Sequence, residues 1–136
     1  MAINNPSIQS HNSPTLLGSV DSINMQTETV TTLYTVPVGK VFIPHFIIIR
    51  NVSASLAGCV LTFGQVGALT DFLPSQTLTN IDAAGEAVIL RPIPYATPAL
   101  AIVQYTAGEI FQMDVATAST GAATATAEVY GTLDDA

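Results

Sequence analysis

Residues 41–50, VFIPHFIIIR, form a strand-like segment that is apolar on both of its faces. A half-exposed strand alternates apolar with polar residues, whereas both alternating rows of this segment are almost entirely apolar. Its β-branched content favours a strand, and a proline at position 44 would break the interior of a helix. In an antiparallel sandwich only one face of a strand meets the core. The second face therefore requires a cover, which another copy of the chain or a different protein would supply.

The two rows of this segment predict two different environments. We expect the β-branched row to face the core, and it consists of Val41, Ile43, Ile47 and Ile49. The other row carries the candidate contact residues Phe42, Phe46 and Ile48. His45 lies between apolar residues and is expected to be a packed histidine rather than a ligand or a base.

Charged residues are scarce, which also favours a protein that hides surface in contacts. Only 10% of the 136 residues are charged and 49% are hydrophobic, against about 25% charged in ordinary globular chains. The net charge is −7, with three Lys and Arg residues in all. Nucleic-acid binding depends on clustered basic residues, so it is not expected here. An acidic exterior suits the surface of a particle that must stay dispersed.

The ends and the single cysteine of the chain indicate its compartment. Residues 1–26 contain no Lys or Arg and no continuous apolar run, so they are not read as a secretory signal. No apolar stretch approaches the ~20 residues of a membrane helix, and no membrane partner is expected. Cys59, in the run AGCVLTF, is interpreted as a buried small hydrophobe. We expect the protein to stay in a cytoplasm or in a particle assembled there.

The chain divides into two parts in this interpretation. Residues 1–26 are rich in Asn, Ser and Pro and predict an extended N-terminal arm, with a disordered tail as the alternative. Residues 27–136 predict one β-sandwich domain. The apolar arm residues that would dock onto a neighbour include Ile3, Ile8, Leu16 and Leu17.

Short strands with Gly and Pro turns follow from residue 27 onwards. About seven or eight strands are predicted, among them one over residues 99–105, and no helix of useful length. The fold class expected is all-β, an antiparallel β-sandwich that is jelly-roll-like.

No catalytic residue, metal site or cofactor-binding site is predicted. No G-x-S-x-G elbow is present. Asp71, Asp82 and Asp114 lack the spacing of a calcium loop. Glycan binding would rest on aromatic stacking, for which Tyr95, in a proline-rich loop, and Tyr130 are the candidates; the alternative is ordinary packing.

Two stretches carry a resemblance to a known group of proteins. They are residues 33–44, LYTVPVGKVFIP, and residues 107–115, AGEIFQMDV, followed by TATAEVYG at 124–131. They resemble the strand-turn-strand and the closing hairpin of β-sandwich virion structural proteins of tailed phages, among them capsid decoration (cement) proteins and tail proteins. Val38 stands where the group usually has Ala, whereas Gly39 supplies the residue that the turn needs. The resemblance transfers no catalytic residue.

This resemblance implies a non-enzymatic structural protein of a phage particle. We expect a head decoration (cement) protein on the capsid surface of the virion, assembled in the host cytoplasm. Its partners would be the major capsid protein and other copies of itself, as a homotrimer. The alternative is a tail or fibre module that recognises host-surface glycans.

Overall fold

The described part of the chain consists of β-strands and loops. The computed structural model describes residues 14–92 and 97–136. The strands within these ranges are β1 (Thr15–Asn24), β2 (Val30–Thr35), β3 (Lys40–Arg50), β4 (Val60–Gln65), β5 (Ala68–Thr77), β6 (Val88–Leu90), β7 (Tyr105–Thr106), β8 (Ile110–Thr117) and β9 (Thr124–Asp135). The described ranges include no helix long and apolar enough to cross a membrane.

The strands form two antiparallel sheets. The first has the order β1-β9-β3-β6, with β7 also paired to β3, and the second has the order β2-β8-β4-β5. The chain crosses between the sheets after β1, β2, β3, β5, β7 and β8, so neighbours within a sheet are mostly distant in sequence. This interleaved order is that of a jelly roll, and the predicted all-β sandwich is confirmed.

An aromatic cluster fills the core between the sheets. Phe42, Tyr105 and Phe111 are fully buried, and Phe72 is nearly so. The Phe42 ring centroid lies 5.9 Å from that of Tyr105 and 5.7 Å from that of Phe111, and Phe72 lies 5.6 Å from Phe111. Aromatic pairs at these distances add stability beyond the area that they bury.

A β-bulge in β3 overturns part of the predicted division between its two faces. The register with β9 shifts between Pro44 and Phe46. Before the bulge Phe42 and Pro44 are buried, and after it Ile47 and Ile49 are buried. The core assignment was therefore right for Ile47 and Ile49 but wrong for Val41 and Ile43, which are half-buried on the outer face. Phe42, assigned to the contact row, belongs to the core because the extra residue reverses the alternation.

The N-terminal boundary of the sandwich also differs from the prediction. Residues 15–24, placed in the arm, form β1 and pair with β9 along its length. Ile23 and Met25 are buried in the core. The second half of the predicted arm is therefore an integral strand of the first sheet, and residues 1–13 lie outside the described ranges.

Residues 99–105 do not form the predicted strand. Only Tyr105 and Thr106 pair with β3, opposite Phe42 and Val41. Leu100 and Ile102 are exposed, at 56% and 40%. β6 pairs with the same edge of β3, at Ile47–Ile49. The chain from β6 to β7 must therefore connect two separate sites on that edge, and this overrides the strand propensity of residues 99–105.

Cys59 is fully buried, as predicted, and burial raises the pKa of its thiol from 9.0 to about 11. We expect the native protein to resist Ellman's reagent at pH 8, where about one thiol in a thousand would be ionised, and to react fully in denaturant. The unfolded thiol ionises first as the pH rises, so the stability that this group contributes is present below pH 9 and is lost between pH 9 and 11. Rapid labelling of the folded protein at pH 8 would contradict this placement.

Candidate functional site

The outer face of the first sheet carries a continuous apolar surface. In an antiparallel pair, residues directly opposite each other project from the same face. Leu16 of β1 lies opposite Tyr130 of β9, and Tyr130 lies opposite Phe46 of β3. Both neighbours of Tyr130 in the chain are buried, so these three side chains project away from the core.

The same surface continues to the edge of the sheet. Ile48, two residues beyond Phe46, lies opposite Ile89 of β6. Ile89 is 61% exposed and Ile48 is half-buried. We call Leu16, Tyr130, Phe46, Ile48 and Ile89 the outer apolar row; it crosses β1, β9, β3 and β6.

Two aromatic rings form the centre of the outer apolar row. The ring centroids of Phe46 and Tyr130 lie 4.8 Å apart, with 14° between the ring planes. Both side chains keep part of their surface accessible. Stacking fixes both rings in place, so a partner would meet a preformed apolar surface with little loss of side-chain entropy.

Charges beside the row are paired within the subunit. The Arg50 guanidinium donates from Nε to Glu128 Oε1 at 2.9 Å and from a terminal nitrogen to Oε2 at 3.0 Å. Glu128 is only 5% exposed although it projects outwards, because its neighbours cover it. The Thr126 hydroxyl donates to Asp21 Oδ1 at 3.1 Å and accepts from the Asn51 amide at 3.3 Å. The bidentate ion pair cancels the charges of Arg50 and Glu128, whereas the Asp21 carboxylate keeps its charge beside this part of the row.

The predicted contact residues fall into four groups. Phe46 and Ile48 lie on the outer face, together with Leu16. Leu17 packs against the core, since the β1 register shifts between Leu16 and Gly18. Phe42 is a core residue. Ile3 and Ile8 lie outside the described ranges.

Of the two glycan-stacking candidates, only Tyr130 lies in the described part of the chain. Tyr130 is on the outer face, and one side of its ring is occupied by Phe46. Tyr95 falls in residues 93–96, which the structure does not describe.

Ile89 was missed by the sequence analysis. The signal was available, because Val88, Ile89 and Leu90 are successive residues of one short strand and only alternate ones can face the core. His45, expected to be packed, is exposed, because it is itself the extra residue of the bulge and has no partner on β9.

Asp71, within β5, takes part in a structural hydrogen-bond network. Its Oδ1 accepts from the Tyr105 hydroxyl and from the Gln65 backbone at 3.3 Å, and its Oδ2 accepts from the Gln65 amide at 3.0 Å. Burial and then this carboxylate raise the pKa of Tyr105. Within residues 14–92 and 97–136, no three His, Cys, Asp or Glu side chains are grouped so as to hold a metal ion.

Comparison with known proteins gives one structural likeness. No family model matches the chain, and no curated protein matches it. Among solved structures, a chain of the cyanophage Pam1 capsid asymmetric unit is similar, with a TM-score of 0.47 and 15% sequence identity. The likeness covers 86% of this chain and 82% of that chain.

Proposed function

We propose that this protein is a non-enzymatic structural component of a phage particle, a head decoration (cement) protein that binds and reinforces the capsid shell. The outer apolar row is the observation that carries the proposal, because it is a preformed apolar surface left open by the subunit's own fold. The resemblance of residues 33–44 and 107–131 to phage virion proteins supports a particle as the setting.

The occupant that we assign to the outer apolar row is a neighbouring copy of the same chain, in a homotrimer. Closed rings are a common form of self-association, and each copy would present its row to a neighbour around the three-fold axis. Apolar burial contributes about 25 cal/mol per Å2. Pairing of Arg50 with Glu128 cancels the Glu128 charge and so lowers the like-charge repulsion that two acidic subunits would otherwise meet at this face. The trimer would then bind the major capsid protein through a different surface.

Sedimentation of two matched variants tests the role of the row. Ile89 is 61% exposed on the row, and Val66 is 58% exposed in the turn between β4 and β5, away from it. We expect Ile89→Asp to sediment as a monomer that still unfolds cooperatively, since an unpaired carboxylate is costly to bury only at a contact. Its melting temperature should fall only by the stabilisation that assembly gives the wild type. Val66→Asp should remain a trimer.

Two results would contradict this proposal. A specific assembly should persist at about 10 μM protein. Wild-type protein that is monomeric at this concentration would contradict the proposed trimer. Sedimentation of both variants as trimers would show that the outer apolar row is not in the interface.

A second candidate function is a tail or fibre module that recognises host-surface glycans. Tyr130 favours it, because a half-exposed ring held by Phe46 can receive a sugar on its free side. Quantitative mass spectrometry of the parent particle separates the two functions. A decoration protein would be present in many copies spread over the shell, and a tail-tip module in only a few.

A further inference from the structure

Arg91 differs from the other two basic residues of the chain. Lys40 pairs with Asp135 at 2.6 Å and Arg50 pairs with Glu128. Across residues 14–92 and 97–136, no hydrogen bond or ion pair joins Arg91 to another residue. All ten Asp and Glu side chains lie in those ranges, since residues 1–13 and 93–96 contain none. The guanidinium therefore has no carboxylate partner of its own in an acidic protein.

Two cavities meet at Arg91. The larger, of about 410 Å3, runs along β5 and is bounded by Asp71 and Leu73. The smaller, of about 260 Å3, lies against the bulge of β3. Arg91, Pro92 and Leu100 line both cavities, which therefore form one groove. We call it the Arg91 groove.

The lining of the smaller cavity defines what it can accept. Among the described residues that line it, the only polar side chains are those of His45 and Arg91, and none is acidic. The remaining lining residues are apolar: Ile43, Pro44, Pro92, Ala99, Leu100 and Ile102. Leu100 and Ile102 are exposed, so their apolar surface is open to a ligand. A cavity that is lined by a guanidinium, an imidazole and apolar walls suits a carboxylate flanked by apolar groups.

We propose that the Arg91 groove binds an acidic segment of a partner protein, in which an Asp or Glu carboxylate meets Arg91 and adjacent apolar side chains cover Leu100 and Ile102. The inference rests on the proposed structural function, and it supplies the surface through which the subunit would bind another protein of the particle. The larger cavity would hold the residues that follow the carboxylate, along β5.

The polar groups of the groove favour a peptide over an acidic saccharide. Both carboxylate oxygens of Asp71 already accept hydrogen bonds from Tyr105 and Gln65. The Gln76 amide donates to the backbone oxygens of Pro74 and Ser75, at 2.8 and 3.2 Å. A saccharide would bring many hydroxyl groups to a surface with few unengaged polar partners, and burying unpaired hydroxyls is costly. An apolar peptide side chain has no hydroxyl group that would be left unpaired on burial.

Peptide titration followed by NMR tests the groove directly. The probes are the tripeptide amide acetyl-Leu-Asp-Leu and its matched acetyl-Leu-Asn-Leu form, added to the full-length protein. We expect saturable shifts at His45, Leu100 and Ile102 with the Asp peptide, and binding of the Asn peptide that is about tenfold weaker, as loss of a charge-assisted pair implies. Arg91→Gln should bind the Asp peptide with an affinity that is lower than that of the wild type by about the same factor. Lys40→Gln, which changes the net charge equally at an exposed pair, should bind like wild type.

Three results would overturn the assignment. They are the absence of saturable shifts up to about 20 mM peptide, well above the millimolar range of a weak site, equal binding of the Asn peptide, and undiminished binding by Arg91→Gln. Preferential binding of a glucuronic acid disaccharide would identify the groove as a saccharide site instead.

Binding to parent particles that lack the protein separates this inference from the function on which it rests. If wild-type protein does not bind the shell, the decoration function fails. If wild type and Arg91→Gln bind equally well, the function stands and the groove is not the contact. Binding by wild type with a loss of about tenfold for Arg91→Gln supports both.

Discussion

Ile47→Asp should abolish folding, whereas Ile48→Asp should leave a folded subunit that no longer assembles. The two residues are adjacent in β3 and project from opposite faces. Ile47 is fully buried between Leu90 and Val129, its partners on the two neighbouring strands. Ile48 is half-buried in the outer apolar row, opposite Glu128 and Ile89.

The magnitudes separate these two outcomes clearly. An unpaired carboxylate in the core costs several kcal/mol, and the lost isoleucine packing adds about 2–5 kcal/mol. Their sum approaches the whole stability of a domain, about 5–15 kcal/mol. The carboxylate introduced by Ile48→Asp would instead stand at a half-buried position opposite Glu128, whose charge Arg50 already balances. Like charges directly opposite each other on a sheet cost about 1 kcal/mol or less.

Thermal unfolding and sedimentation on both variants provide the measurement. Loss of the unfolding transition in Ile47→Asp, with a normal transition and a monomeric sedimentation coefficient in Ile48→Asp, is the expected pattern. If Ile48→Asp also unfolds, Ile48 is needed for the fold of the single subunit, and the variant gives no support to a contact between copies. If it folds and still assembles, the row is not the contact between copies.

The fold class could be predicted from the sequence because turn chemistry and alternation are local signals. Gly39 illustrates this, since its φ of 76° lies in the left-handed region that favours glycine, as the turn between β2 and β3 required. The strand that follows was predicted at residues 41–50 and lies at Lys40–Arg50. The faces of this strand were not predicted correctly throughout, because one extra residue at the bulge reverses the alternation of the residues before it.

Pro44 contained the missing information about that bulge. Proline in a sheet is confined to edge strands, strand starts and bulges, because it cannot donate to the ladder. β3 is a central strand, between β9 and β6, and Pro44 lies within it. A bulge next to position 44 would therefore have been the consistent interpretation, and it would have placed Phe42 in the core.

β1 was harder to find because its pattern is broken twice. The register with β9 shifts between Leu16 and Gly18 and again between Val20 and Ile23. Ser22 adopts a φ of 55° at the second irregularity. Each shift resets the period of two, so the apolar residues of 15–24 show no alternation along the chain. The outer apolar row could not be assembled from sequence either, since it depends on the register of four strands that are distant along the chain.

Gly18→Ala should lower the melting temperature by about 10 °C, which corresponds to a loss of about 3 kcal/mol. A methyl group at Gly18 would overlap the carbonyl oxygen of Leu33, in β2 of the opposite sheet, and would lie 3.1 Å from a methyl carbon of Val129. The first neighbour is backbone and cannot move aside without separating the two sheets at this corner. The Gly18 backbone is not in the left-handed region, so the expected loss is steric.

Gly121→Ala is the matched control, because a methyl group there meets no atom within 4 Å and its backbone is likewise outside the left-handed region. It should leave the melting temperature unchanged or raise it slightly, since alanine restricts the unfolded chain more than glycine does. Calorimetry on the two variants and the wild type is sufficient. Equal melting temperatures for Gly18→Ala and wild type would mean that β1 can leave its position without loss. Residues 15–24 would then behave as the detachable arm that their sequence suggests, and Leu16 would no longer belong to a fixed outer apolar row.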